Sequence, residues 1–406
     1  MSLTLLNEAA SDVSETREEI LRRARALVPT LASRSEKAEQ LRRCPDETIA
    51  DFSEAGLLRV CQPKRYGGYE LGYDVLCEMV QTLAQGCGSQ AWVAMVLSDN
   101  PLKFSAFELA AQDEVWSANS KAKIAVAILP MIGRATPAQG GVRWSGTQKY
   151  SSGIDHADWV ICGGHVIRDG QPAEAVFALI PTSEIEIIDD WHVIGLAGSG
   201  TKSFKVDDVF VPTHRLLDKR LYETWQSPGT LFYSSAISKL PRGGVSAVSY
   251  TAVAVGVAQG FLENYLAWTA TRRPRAAEPG IQIRAGVSAA EIEAAERMYL
   301  GAIRETMETL ERGEKVTPHM GKQGKRNACY AAQLAMSAVQ RLFNAAGASA
   351  LYMDNPMQRQ FRDVYAASAH HALDWESAAA AYGCYRLGVE TSEKTAPAAP
   401  TSNAGD

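Results

Sequence analysis

No stretch of this chain carries the roughly 18 uninterrupted apolar residues that a membrane span needs, so none is predicted. The seven cysteines, at positions 44, 61, 77, 87, 162, 329 and 384, are scattered and show no CxxC spacing. An odd count without that spacing argues against a disulfide or zinc framework, predicts no metal site, and fits free thiols in a reducing cytoplasm. There is no excess of basic charge. The net charge is −5, and the short run Arg22, Arg23 and Arg25 follows Glu18 and Glu19 at helical spacing, which describes a solvated helix face rather than a nucleic-acid surface. Near the start, Asn7, Glu8, Ser11 and Asp12 break up what a signal peptide would keep apolar. Neither a Walker lysine loop nor a Rossmann glycine turn opening a helix is present, which leaves no unit for a nicotinamide dinucleotide. No internal repeat is visible.

What remains is an ordinary globular composition, 46% hydrophobic and 21% charged, in 406 residues. That length predicts two or three subdomains. Apolar residues recur at three- and four-residue intervals between 14 and 120, beginning with Ile20, Leu21, Ala24, Leu27, Val28 and Leu31, and predict an N-terminal helical domain. Asp46 is placed as the cap of its second helix. Between 121 and 215 the period shortens. β-branched runs broken by Gly, Pro, Asn and Asp predict a small β-barrel or sandwich. Residues 216–244 read as a long lid-like excursion. Helical periodicity returns over 245–388, with 250–262 apolar nearly all round, and predicts a bundle that also makes a subunit interface. The tail 389–406 is expected to be disordered. The class is α+β, mostly α.

Four segments carry chemistry. In the first, strand-like pieces 142–150 and 158–163 flank a turn holding Ser151, Ser152, Gly153, Asp155 and His156. Gly153 permits close backbone approach, and a hydroxyl beside it can bond a ring nitrogen, which suits a flat heteroaromatic cofactor against a sheet edge. The second, 190–203, opens on Asp190-Trp191 and contains Gly195, Gly198, Ser199, Gly200 and Thr201, glycines that let successive amides form an anion nest. It is followed by Val209-Phe210-Val211-Pro212-Thr213-His214-Arg215. The third runs from Phe343-Asn344-Ala345-Ala346-Gly347 through Asn355-Pro356-Met357-Gln358-Arg359 and Arg362-Asp363 to His370-His371. The fourth is Trp268 to Arg273, ending a helix. His192 and His214 are read as structural, and Cys162 as packing.

Taken together, and over roughly residues 15–387, these segments resemble the acyl-CoA dehydrogenase superfamily. The nearer likeness is to its oxygen-using branch, the oxygenase components of two-component flavin monooxygenases, similar to 4-hydroxyphenylacetate 3-hydroxylase and the seco-steroid phenol hydroxylases. The resemblance implies an N-terminal helical domain, a central β-domain and a C-terminal four-helix bundle, assembled as a homotetramer. It implies that Ser152, rather than Ser151, lies against flavin N5 and steadies a flavin C4a-hydroperoxide, with Tyr150 at the isoalloxazine. Gly198, Ser199 and Thr201 would approach the flavin or its phosphate. Arg272, or failing it Arg273, would reach a flavin phosphate across a subunit interface. Arg362-Asp363 would anchor the last helix as an ion pair.

The resemblance also places His370 as an active-site imidazole on the last helix, with His371 where dehydrogenases carry their catalytic Glu. The dehydrogenases' Tyr-Glu-Gly-Thr and TEP-x-AGSD phrases are absent, which favours the oxygenase branch. Asn100 stands, beside Asp99, near the position where the 4-hydroxyphenylacetate enzymes use a histidine for substrate, so that substrate is not implied. The implied activity takes diffusible reduced FMN or FAD from an NAD(P)H-dependent reductase, adds O2, and hydroxylates an aromatic, most simply phenolic, small molecule. Alternatives on the same fold are N-, S- or indole oxidation and acyl-CoA dehydrogenation.

Overall fold

The computed structural model describes residues 16–241 and 245–389. The Thr16 hydroxyl accepts from the Glu19 N–H and starts helix α1 (Arg17–Ser33), whose Ile20, Leu21, Ala24 and Leu31 form the buried stripe that the sequence spacing predicts. Helices α2 (Ser35–Leu41), α3 (Asp46–Glu54), α4 (Tyr73–Ala84) and α5 (Gly88–Phe104) complete the N-terminal layer. Asp46 is the first residue of α3 rather than its cap, because Pro45 takes the extended cap position. Along α5 almost every side chain is buried, so it is an interior element with no amphipathic face to read.

Eight strands follow: β1 (Ile124–Ala127), β2 (Gly133–Ala138), β3 (Gly141–Ser151), β4 (Trp159–Val166), β5 (Glu174–Pro181), β6 (Glu186–Ile188), β7 (Lys202–Pro212) and β8 (Leu216–Asp218). They form one sheet in the order β6-β7-β3-β2-β4-β5-β8, with β1 parallel to β4. The end strands β6 and β8 do not pair with each other, so the sheet does not close into a barrel. Val142, Trp144, Val160, Ile180, Phe204 and Val206 form the buried cluster on one side. Ile161, Phe177 and Leu179 point the other way and pack with Phe104 of α5, Phe107 and Trp116. Burial on both faces explains why β4 and β5 read as continuous apolar runs rather than alternating ones.

The segment expected as an excursion begins with β8, which pairs with β5, and so opens as part of the sheet. Its described remainder is tied down. Gly229 lies so close to Ser105 that a Cβ would fall 1.9 Å from the Ser105 carbonyl oxygen, and the Tyr233 hydroxyl donates to Gln112 Oε1 at 2.6 Å. Residues 242–244 lie outside the described residues, as does all of the expected disordered tail beyond Val389.

Helices α6 (Val245–Ala270), α7 (Pro279–Glu311), α8 (Pro318–Ala346) and α9 (Pro356–Ser368) pack as the C-terminal bundle, with α10 (Trp375–Leu387) against α8. The all-round apolar stretch of α6 is covered within one chain, by α4, α5, α7, α8 and α9. Gly256 and Gly260 allow this, since a Cβ at either would stand 2.2 or 2.3 Å from the Gln81 or Gln85 carbonyl oxygen of the α4 segment. The apolarity of α6 is therefore satisfied without a second subunit, and does not itself require an interface.

Candidate active site

At the end of β3 the chain is bent by a register shift between Gln148 and Ser151, with Tyr150 at φ 64° and Gly153 at φ 70°. The left-handed turn is natural for Gly153; for Tyr150 it costs energy, and it leaves that ring 62% exposed. Ser152 turns inward. Its buried hydroxyl accepts from Trp92 Nε1 of α5 at 2.9 Å and lies 2.8 Å from Thr201 Oγ1, which lies 2.7 Å from Ser199 Oγ. The Gly153 N–H donates to the Ser199 carbonyl at 3.1 Å, so the two glycine-bearing segments are locked together. Ser151 is also buried, but its hydroxyl has no partner among the described residues and takes no part in this cluster.

This cluster fits a flavin ring by simple counting. Ser199, Thr201 and Ser152 bring one hydroxyl proton each to the two contacts between them, so one O–H remains to donate outward. The exposed Tyr150 ring offers a flat neighbouring surface. No group of metal-ligating side chains occurs among the described residues.

The imidazole approaches the same indole from the bundle. α9 stops at Ser368, so His370 lies not on a helix but in the turn that begins the short helix His371–Leu373. Its Nδ1 accepts the Ala372 N–H at 3.1 Å, and Lys325 pins the turn by donating to the Ala372 carbonyl. The His370 ring centroid is 3.9 Å from that of Tyr250 and 5.9 Å from that of Trp92, and Trp92 stacks on Tyr250 at 4.9 Å. Burial, helped by the nearby His371 and Lys325, pulls the His370 imidazole down to about 3. It is therefore neutral at physiological pH. With Nδ1 occupied as an acceptor, its proton sits on Nε2, and it can act as a hydrogen-bond donor there. His371 stacks on it at 4.3 Å but is exposed. The expectation that helical geometry turns the two histidines about 100° apart does not apply, because the helix ends before them.

Trp92 is the residue sequence reading missed. One indole donates to Ser152 with its N–H and lays its face on Tyr250, joining hydroxyl cluster to imidazole. Its one signal was a large aromatic among the small and aliphatic residues of the first half of α5. Tyr250 and Lys325 were missed for the same reason, since nothing local in sequence links them to His370.

Other expected residues go elsewhere. Gly198 is required by packing, as a Cβ there would lie 2.8 Å from Ala38 Cβ of α2. The loop does not present a row of open amides, because the Leu196 N–H donates to Asp363 Oδ1 at 2.7 Å and the Ser199 and Gly200 N–H groups bond back within the loop. Asp363 thus holds Leu196, and Arg362 pairs with Glu39 at 2.6 Å, so the two do not form the expected mutual ion pair. Burial pushes the Asp363 carboxyl up to about 6 against the pull of that Leu196 N–H. The Arg272 guanidinium lies 4.0 Å from the Trp268 ring and donates to the Trp268 carbonyl at 2.9 Å, capping α6, so within this chain it is not brought to the cluster. The Asn100 side chain is buried and donates to the Ile124 carbonyl at 2.8 Å. His192 neighbours Arg42, and His214 pairs with Glu114 at 2.9 Å, both consistent with structural roles.

Comparison with known proteins places the chain in a family and agrees with the fold. Residues 14–104 match the acyl-CoA dehydrogenase N-terminal domain and residues 248–375 the acyl-CoA dehydrogenase C-terminal domain. The chain is 33% identical over 377 residues to the flavin-dependent monooxygenase oxygenase subunit HsaA of Rhodococcus jostii, covering 91% of this chain and 98% of that one. It is 30% identical to the oxygenase component of an FADH2-dependent resorcinol hydroxylase from a Rhizobium species, covering 88% and 91%. The crystal structure of 3-HSA hydroxylase from Rhodococcus sp. RHA1 superposes with a TM-score of 0.88 at 33% identity, over 92% of this chain and 97% of that one. The chain belongs to the oxygenase components of flavin-dependent monooxygenases, on the acyl-CoA dehydrogenase fold.

Proposed function

We propose that this oxygenase hydroxylates a phenolic small molecule, using reduced flavin that diffuses from a separate NAD(P)H-dependent reductase. The observation that carries the reading is the Trp92 indole, which connects the Ser152–Thr201–Ser199 hydroxyls to the neutral His370 imidazole. Reduced flavin with O2 supplies the oxygen atom that enters the ring and the electrons that take the second oxygen atom to water. Ser152 and Thr201 hold the flavin ring edge, with Ser199 behind them. The exposed Tyr150 ring would flank it. His370 Nε2–H orients the phenolic oxygen. Trp92 and Tyr250 form an apolar wall that keeps water from the reacting atoms. FADH2, the flavin in the name of the resorcinol relative, is the first to supply.

Ser152→Ala removes the hydroxyl proposed to meet the flavin, and one hydrogen bond there is worth about 0.5–1.5 kcal/mol, or roughly threefold to tenfold in rate. Hydrogen peroxide released per reduced flavin should rise and catechol yield fall by that factor, measured with chemically reduced FAD, O2 and a panel of simple phenols. Unchanged partitioning with flavin still bound removes Ser152 from the site. Complete loss of reducing equivalents to peroxide in the wild-type protein, with every phenol, overturns the hydroxylase reading itself.

The assembly proposed is a homotetramer in which Arg272 of one copy reaches the flavin of another. Supporting it are the exposed apolar side chains of the C-terminal half, with Ile283 64%, Leu351 64%, Tyr352 70% and Met353 68% exposed. Light scattering should return a multiple of the single-chain mass; the mass of one 406-residue chain at micromolar concentration rules the tetramer out. The free cysteines support a place in the reducing cytoplasm.

A further inference from the structure

Helix α5 presents Trp92, Val96, Asp99 and Lys103 on one stripe, at intervals of four, three and four residues. The stripe begins at the hydroxyl cluster and reaches a buried charge pair about 10 Å further along the axis. There Lys103 donates to Asp99 and, at 3.4 Å, to Asn100 Oδ1. The side chains of Lys103 and Asp99 are only 22% and 12% exposed. An ammonium has three N–H donors and a carboxylate about four acceptor sites, of which these two contacts use two donors and one acceptor site. Tyr250, whose ring covers His370, lies within electrostatic reach of both charges, as does Tyr222 of Lys103. The pair therefore lies on the same face of α5 as Trp92, which stacks on Tyr250.

A pair placed so deeply adds little net stability, because desolvating two charges offsets their attraction and apolar residues of similar size would serve the core as well. It does offer one donor and one acceptor side by side. A carboxylate brought there would meet Asp99, which already neutralises Lys103, whereas an uncharged group such as an amide or hydroxyl can accept from Lys103 and donate to Asp99.

Resting on the phenol-hydroxylase reading, we infer that the Asp99–Lys103 pair reads the substituent carried by the phenol, and selects an uncharged hydrogen-bonding group over a carboxylate.

Two isosteric probes test this on the full-length protein: 4-hydroxyphenylacetamide and 4-hydroxyphenylacetate. Binding is measured by anaerobic equilibrium dialysis with and without reduced FAD, and catechol formation in parallel. The wild-type protein should bind the amide at least about tenfold more tightly, the order expected when a like charge is brought against a buried one. Asp99→Asn, which frees the lysine charge, should move the ratio toward the acid by a similar factor. The double variant Asp99→Leu with Lys103→Met removes both charges, so it remains informative if the single variant does not fold, and its amide affinity should fall roughly tenfold. A wild-type preference for the acid, an unmoved ratio in Asp99→Asn, or unchanged amide affinity in the double variant overturns the inference. If the ratios move as expected but the wild-type protein makes no catechol from any phenol, the pair keeps its role and the oxygenation reading falls. Catechol with unmoved ratios means the reverse.

Discussion

Replacing His370 by alanine is expected to lower product yield per reduced flavin by roughly 100-fold, the order for losing a donor aimed at charge that develops during reaction. Flavin binding should survive, because the hydroxyl cluster and the Tyr150 turn are built without the imidazole. The geometry specifies a donor rather than a base: Nδ1 is engaged by the Ala372 N–H, and burial holds the ring neutral down to about 3. Two consequences separate these roles. His370→Gln, which keeps an N–H, should recover part of the yield. The wild-type yield should also show no imidazole titration between pH 6 and 8, since a group depressed to about 3 changes charge only far below that window. A titration near the ordinary histidine value that vanishes in His370→Ala would make the residue a base. His371→Ala should be mild, as that ring is exposed behind His370. Normal coupling in His370→Ala with loss in His371→Ala would transfer the role.

Trp92→Ala should cost about 3–5 kcal/mol of stability, the range for emptying a buried aromatic site, and should abolish coupling as well. The indole is 6% exposed, stacks on Tyr250, and is the donor to Ser152, so its loss opens a void and frees both halves of the site. Trp92→Phe keeps the stack and removes only the N–H, for about 0.5–1.5 kcal/mol. If the indole is the link between the halves, Trp92→Phe should release peroxide much as Ser152→Ala does, while unfolding close to wild type. Chemical denaturation and peroxide yield measured on both variants decide it. A Trp92→Ala protein with normal stability and coupling would show that the contact carries nothing.

Much of this was legible locally. Ser152, Thr201 and Ser199 sit in short glycine-bearing segments whose turn chemistry is written in neighbouring residues, and the structure does bring those hydroxyls together. The order of helices, sheet and helices followed from the change in apolar period. Elsewhere local pattern did not say what a residue packs against. The glycine at 198 read as a ligand cradle because such spacing often is one, yet it answers to Ala38, distant in sequence. The all-round apolar α6 predicted burial without saying by what, since periodicity does not name the cover, and the same chain supplies cover from α4, α5, α7, α8 and α9. His370 read as helical because nothing in the sequence marks the helix end at Ser368 strongly enough.

The sequence by itself determined the fold family, the hydroxyl turn and the identity of the two imidazoles, since each depends on residues close together along the chain. Tertiary structure alone decided which histidine faces inward, which tautomer it holds, and that Trp92, Tyr250, Lys325 and the Asp99–Lys103 pair share its surroundings. The reason is physical. A hydrogen bond or ring stack between Trp92 and Ser152, or between Tyr250 and His370, depends on packing between α5, the sheet and the bundle. No local periodicity or propensity encodes a contact that forms only when elements far apart in the chain close on one another.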